Sequence, residues 1–201
     1  VVTPDPQIYT TDDGVQFGVE ICEDVWAPVP PSNTLALAGA DLIFNLSASD
    51  VVIGKFDYLK SLLSQQSSRT ITGYIYAASG YGESTQDLVY AGNGLIYENG
   101  VLLAEGKRFT MESQIHCAQI DIEMLRAERR TNSTYVNAQR QVNTFASQRG
   151  FSSSLSPNQF AIFNNTSAIH YISCIAPENE TTFTLERKIN PHPFVPATNL
   201  L

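Results

Sequence analysis

Apolar and polar residues alternate strictly near the start of the chain. Val15, Phe17, Val19 and Ile21 are separated by Gln16, Gly18 and Glu20, the two-residue period of a half-buried strand. Residues 28–33, rich in Pro and Asn, predict a loop, followed by a short helix over 34–40 closed by Gly39. The mostly apolar run 41–46 predicts a buried strand. Phe56, Leu59, Leu62 and Leu63 recur at helical spacing, so an amphipathic helix is predicted from 55 to about 68. Residues 73–79 predict a third strand.

Residues 88–103 predict a β-meander. Asn93-Gly94 and Asn99-Gly100 both tolerate positive φ, and short apolar runs flank each pair. A further strand is predicted near 115–120. Asp121 is placed to cap a helix over 122–130, and 136–149 predicts another helix stopped by Gly150. Residues 152–158 form a polar break, and the pattern from there to 187 is ambiguous. Helices alternate with strands first and a meander follows, so the expected fold class is α/β, a mixed sheet covered by helices.

Ten Phe, nine Tyr and 43% hydrophobic residues in 201 supply a real core, which excludes a disordered chain. No apolar run approaches the roughly 20 residues of a membrane-spanning helix. A net charge of −8 argues against a nucleic-acid partner, which needs a cationic footprint. Cys22, Cys117 and Cys174 are sparse, odd in number and form no CxxC pair. That pattern predicts a reducing, cytoplasmic setting and neither a disulfide framework nor a structural zinc site. The opening Val1-Val2-Thr3-Pro4 and the stiff, Pro-rich close 191–196 predict a piece of a longer polypeptide.

Cys22 ends an apolar strand, where side chains of α/β proteins project into ligand crevices. Its neighbours are Glu23 and Asp24, and no Lys or Arg occurs before Lys55. Carboxylates disfavour a thiolate, so a nucleophilic Cys22 needs a base or cation from elsewhere. The bland alternative is a buried structural cysteine. His116, His170 and His192 sit in no nucleophile or metal signature. The glycine runs 80–82 and 92–94 do not open helices as phosphate loops must. Arg126, Arg129 and Arg130 predict a solvated or ion-paired helix face.

The segment Val19-Glu20-Ile21-Cys22-Glu23-Asp24-Val25-Trp26 resembles the nucleophile segment of the nitrilase, or carbon–nitrogen hydrolase, superfamily. Glu23-Asp24 and the following Pro28-Val29-Pro30-Pro31-Ser32 are similar to the glutaminase domain of glutamine-dependent NAD synthetases. The likeness continues through Asn45-Leu46-Ser47-Ala48-Ser49 and Tyr76-Ala77-Ala78-Ser79-Gly80-Tyr81-Gly82-Glu83-Ser84-Thr85. It then runs through Glu98-Asn99-Gly100, Leu125-Arg126-Ala127-Glu128-Arg129 and Pro193-Phe194-Val195-Pro196.

That resemblance implies part of an α-β-β-α sandwich, with roughly half of each layer in residues 1–188. It implies that 189–201 is a linker toward a synthetase domain that uses ATP and Mg, with no cofactor in this chain. It also implies a function: Cys22 hydrolyses the side-chain amide of glutamine, and the ammonia amidates nicotinic acid adenine dinucleotide. Ser49 and Lys55 would hold the substrate's carboxylate, Trp26 would wall the pocket, and Glu23 would bind the ammonium group. The family position of Lys55 is often Arg, whose planar fork grips a carboxylate at two points where Lys offers one.

The family's other two catalytic groups, a Glu and a Lys, both precede the cysteine by many residues. Only 21 residues precede Cys22, and none is Lys. Glu20, two residues back on the same strand, is the nearest local base. The expectation is therefore a chain that is inactive alone, belongs with an N-terminal segment, and self-associates through apolar surface, giving a homo-oligomer. The rival readings are another nitrilase-type amidase and a catalytically inert scaffold.

Overall fold

A computed structural model describes residues 6–147, 169–174 and 184–187. The strands are β1 (Gln7–Thr10), β2 (Gln16–Ile21), β3 (Leu42–Ser47), β4 (Gly73–Ala78), β5 (Gly94–Glu98), β6 (Val101–Glu105) and β7 (His170–Ser173). The helices are α1 (Pro31–Leu37), α2 (Lys55–Thr70), α3 (Ile122–Thr131) and α4 (Ser133–Ser147). All described strands lie in one sheet, ordered β6-β5-β4-β3-β2-β1-β7. The centre, β2, β3 and β4, is parallel, while β1–β2, β4–β5 and β5–β6 pair antiparallel. The expected α/β class and mixed sheet are present.

The parallel centre follows from its crossovers, since α1 joins β2 to β3 and α2 joins β3 to β4. Leu35, Leu59 and Leu63 of those helices pack on Ile43, Tyr74, Tyr76, Leu95 and Tyr97 from one sheet face. Gly18 permits the close approach of α1, because a Cβ there would stand 2.8 Å from Leu35 Cδ1. The opposite face carries Phe17, Val19, Ile21, Phe44 and Leu46. Phe17 packs edge-on against Phe44, but Ile21 and Leu46 are 55% and 54% exposed. The expected share of two sheets thus takes the form of one sheet, covered on one side.

Several elements differ from the pattern-based expectation. Helix α1 starts three residues early because Pro31, with its fixed φ, suits the first helical position. Only one of the two Asn-Gly pairs makes a hairpin: Asn99 and Gly100 have φ of +45° and +85° between β5 and β6. The Asn93 carbonyl instead accepts from the Ala78 N–H at 2.9 Å, and β5 begins only at Gly94. Residues 113–121 form no strand. Asp121 does cap α3, accepting from the Met124 N–H at 2.8 Å, and Asn132 caps α4. Strands β1 and β7 were not expected. Gly150, the polar break and the 189–201 linker lie outside the described residues.

The basic cluster on α3 is ion-paired. Arg126 donates to both oxygens of Asp41, at 3.1 and 2.7 Å. Arg129, 8% exposed, donates to the Ile71 and Ala40 carbonyls at 2.9 and 2.7 Å. Arg130 stays exposed.

Candidate active site

Cys22 opens a tight helical turn, Cys22–Trp26, directly after β2. Its φ of +49° lies in the left-handed region, which costs free energy for a residue with a Cβ. Neighbouring side chains hold the turn. Asp24 Oδ2 accepts from the Ile21 N–H at 2.8 Å, and Asn45 Nδ2 donates to the Cys22 carbonyl at 3.4 Å. Glu20 Oε2 accepts from the Ser32 N–H at 2.9 Å, tying the start of α1 to β2.

Glu20 is 2% exposed and also accepts from the Tyr74 hydroxyl. Burial pushes its carboxyl above the usual range, against the opposing pull of the Tyr74 and Ser32 bonds. Both oxygens are engaged under α1, so Glu20 serves the fold and is not free as a base for Cys22.

The C-terminal ends of β2, β3 and β4 lie on one edge of the sheet, where parallel α/β sheets form ligand crevices. Ser49, Asp50, Lys55, Phe56, Asn93 and Arg108 line a cleft there of about 20 Å³. That volume takes a water-sized group or the tip of a carboxylate, not a whole amino acid. Lys55 Nζ pairs with Asp50 Oδ1 at 2.8 Å and lies 5.5 Å from the centre of the Trp26 ring. The hydrogen bond and charge of Lys55 hold the Asp50 carboxyl below its usual range. Trp26 in turn stacks on Tyr58, ring centres 5.6 Å apart.

The structure therefore brings Trp26, Ser49 and Lys55 together. Tyr76 of β4 ends near Ser47 and Ser49, its phenol pushed up chiefly by burial. Glu23 is exposed, and its side chain hydrogen-bonds to no described residue. Sequence reasoning missed Asp50, Asn93 and Arg108 as lining residues, and the burial of Tyr76 near Ser47 and Ser49. For Tyr76 the usable signal is register, since it pairs with Asn45 across β3 and β4. The guanidinium of Arg108 sits 3.8 Å above the Phe56 ring, a contact no spacing rule announces.

Comparison with known proteins gives a family and a fold. The model of a family described as carbon-nitrogen hydrolase matches residues 2–130. A glutamine-dependent NAD(+) synthetase of Mycobacterium leprae (strain TN) is 47% identical over 122 residues, which are 61% of this chain and 18% of that protein. The Homo sapiens glutamine-dependent NAD(+) synthetase is 32% identical over 115 residues, 56% of this chain and 16% of that protein. The chain thus spans less than a fifth of the length of these relatives. The crystal structure of a carbon-nitrogen hydrolase from Helicobacter pylori G27 shares the fold, with a TM-score of 0.57 at 17% identity over 70% of this chain and 51% of that one.

Proposed function

The chain belongs to the carbon–nitrogen hydrolase family, and from that premise we propose that it is part of the glutaminase domain of a glutamine-dependent NAD synthetase. Residues 1–188 form that part, and 189–201 lead toward the synthetase domain. Cys22 Sγ attacks the side-chain amide carbon of glutamine. The C–N bond breaks as the nitrogen takes a proton, leaving a γ-glutamyl thioester and ammonia. Water then cleaves the C–S bond, restores the thiol and releases glutamate. The Glu23 backbone N–H, next to the nucleophile, faces the oxygen on which charge develops.

Ser49 and Lys55 take the carboxylate of the substrate, Trp26 walls the site, and the exposed Glu23 takes the ammonium group. The released ammonia serves the ATP-dependent amidation of nicotinic acid adenine dinucleotide in the synthetase domain. No three His, Cys, Asp or Glu among the described residues group to hold a metal ion. ATP and Mg act in that other domain on this reading, and no step here passes through them. The free thiols of Cys22, Cys117 and Cys174 fit a reducing cytoplasm. No described helix is long and apolar enough to cross a membrane. Glu20 is committed to Tyr74 and Ser32, and on this reading the chain turns over nothing until an N-terminal segment supplies a base for Cys22.

The observation that carries this reading is Cys22 itself, opening a strained turn at the end of β2 whose last residue, Trp26, lies against Lys55. Treatment with a chloroketone analogue of glutamine, followed by peptide mass spectrometry, tests it. With the upstream segment restored, Cys22 should be labelled faster than the more exposed Cys117, and glutamine should protect it. Labelling of Cys117 ahead of Cys22, with no protection, would contradict an organised glutamine site. Once the upstream segment is restored, a panel of amides separates a glutaminase from another nitrilase-type amidase.

A further inference from the structure

Beyond Glu105 the chain folds back along the start of β5. The Gly106 N–H donates to the Gly94 carbonyl at 2.7 Å, and the Phe109 N–H to the Ala91 carbonyl at 2.8 Å. Gln114 closes the loop, its side chain accepting from the Lys107 N–H at 3.0 Å and donating to the Lys107 carbonyl at 2.8 Å. Gly106 is required at the bend, because a Cβ there would stand 2.4 Å from His116 Nε2. Gly94 pairs with Ala77 near the C-terminal end of β4. The return therefore carries Arg108 to the edge of the sheet on which Cys22 lies, and onto the cleft that Ser49 and Lys55 line.

There the Arg108 guanidinium rests on Phe56, 3.8 Å from the ring centre, with the Phe109 ring at 5.5 Å. The rings attract its charge but leave its five N–H donors without an acceptor. Among the described residues Arg108 makes no hydrogen bond and no ion pair. The other cation on the cleft differs, since Lys55 Nζ is held by Asp50 at 2.8 Å. Asp50 and Lys55 offset one another, so Arg108 leaves the cleft with one uncompensated positive charge. Lys107 beside it is simply exposed. What sets Arg108 apart is that an aromatic ring holds it at a cleft sized for the tip of a carboxylate.

We propose that Arg108 is a specificity-determining residue, whose guanidinium takes the α-carboxylate of the substrate at the cleft it shares with Ser49 and Lys55. Two N–H groups meet the two carboxylate oxygens, a match that the ammonium of Lys55 lacks. Contact with Phe56 positions the fork beforehand, so less side-chain freedom is lost on binding. Arg108 makes and breaks no covalent bond. It selects amides that carry a carboxylate at their far end over neutral ones. This inference rests on glutamine being the substrate of Cys22.

Binding is measured by calorimetry in the chain with its upstream segment restored, carrying Cys22→Ala so that nothing turns over. The two probes are glutamine and its α-amide, in which a neutral group of similar shape replaces the carboxylate. Arg108→Met removes the charge, and its side chain still covers Phe56. The variant should bind glutamine about thirtyfold more weakly, as loss of a charge-assisted hydrogen bond requires. Its affinity for the α-amide should be unchanged, which also shows that the site is folded. Unchanged glutamine affinity overturns the proposal. Equal loss of both probes also overturns it, because Arg108 then only supports the cleft. If the protein that keeps Arg108 binds no glutamine, the glutamine reading fails and this inference falls with it. Glutamine binding that ignores Arg108 defeats the inference alone.

Discussion

Cys22 adopts a backbone conformation that suits glycine, and the turn pays for it with the Asp24 and Asn45 hydrogen bonds. Relieving the strain should therefore stabilise the fold. Cys22→Gly is expected to be about 1 kcal/mol more stable than Cys22→Ala in urea denaturation; equal stabilities would show the turn to be unstrained. Glu20 makes a second residue-scale prediction. Its folded pKa is raised, so the folded state binds the extra proton. Its contribution is fully present below the unfolded value near 4.5 and is lost as pH rises through the folded value. Glu20→Gln should flatten that fall in thermal midpoint above pH 4.5, and a variant with the same slope would contradict it. At this scale Cys22, Trp26, Ser49 and Lys55 were legible through motif resemblance. Asp50, Asn93 and Arg108 were not, because they meet at the cleft only once three separate loops have packed together.

Among elements, the β5–β6 hairpin sits against α2 through its turn. Ser64 Oγ donates to the Gly100 carbonyl at 2.7 Å, and the Gly100 N–H reaches Ser67 Oγ at 3.1 Å. A Cβ on Gly100 would meet Ser68 Cβ at 2.9 Å, at a φ of +85°. Gly100→Ala should cost about 2 kcal/mol, read as a lowered denaturation midpoint; a neutral result would mean the turn is not seated on α2. Glu98, at the end of β5, accepts from the Asp121 N–H at 2.6 Å and from Arg187 at 2.7 and 2.5 Å. The motif Glu98-Asn99-Gly100 thus joins three stretches of chain, a reason for its presence that resemblance alone did not supply. Strand β2 and helix α2 were legible from periodicity, and β3 and β4 from their short, mostly apolar runs. Strands β1 and β7 have four residues each, too few for a period to declare itself, and they exist by pairing with each other and with β2.

At the scale of the whole molecule, one sheet face is packed and the other leaves Val19, Ile21 and Leu46 substantially exposed. Contiguous open apolar surface of this kind drives association. The chain is expected to self-associate, as a homo-oligomer, and Leu46→Lys should shift it toward monomer in light scattering. A wild-type chain that stays monomeric at high concentration would contradict this. The alternation in β2 predicts Val19 and Ile21 on the buried side, whereas the helices cover the side of Gly18 and Glu20, because the side that is covered depends on how the crossovers close.

The most direct test of the glutaminase account is ammonia release from glutamine, comparing this chain, the chain with its upstream segment restored, and the restored chain carrying Cys22→Ala. The expected result is silence from the chain alone, turnover on restoration, and loss of that turnover by at least a thousandfold, on the order of what loss of a nucleophile costs, in the Cys22→Ala variant. Turnover that survives Cys22→Ala, or a restored protein that releases no ammonia from glutamine, would contradict it.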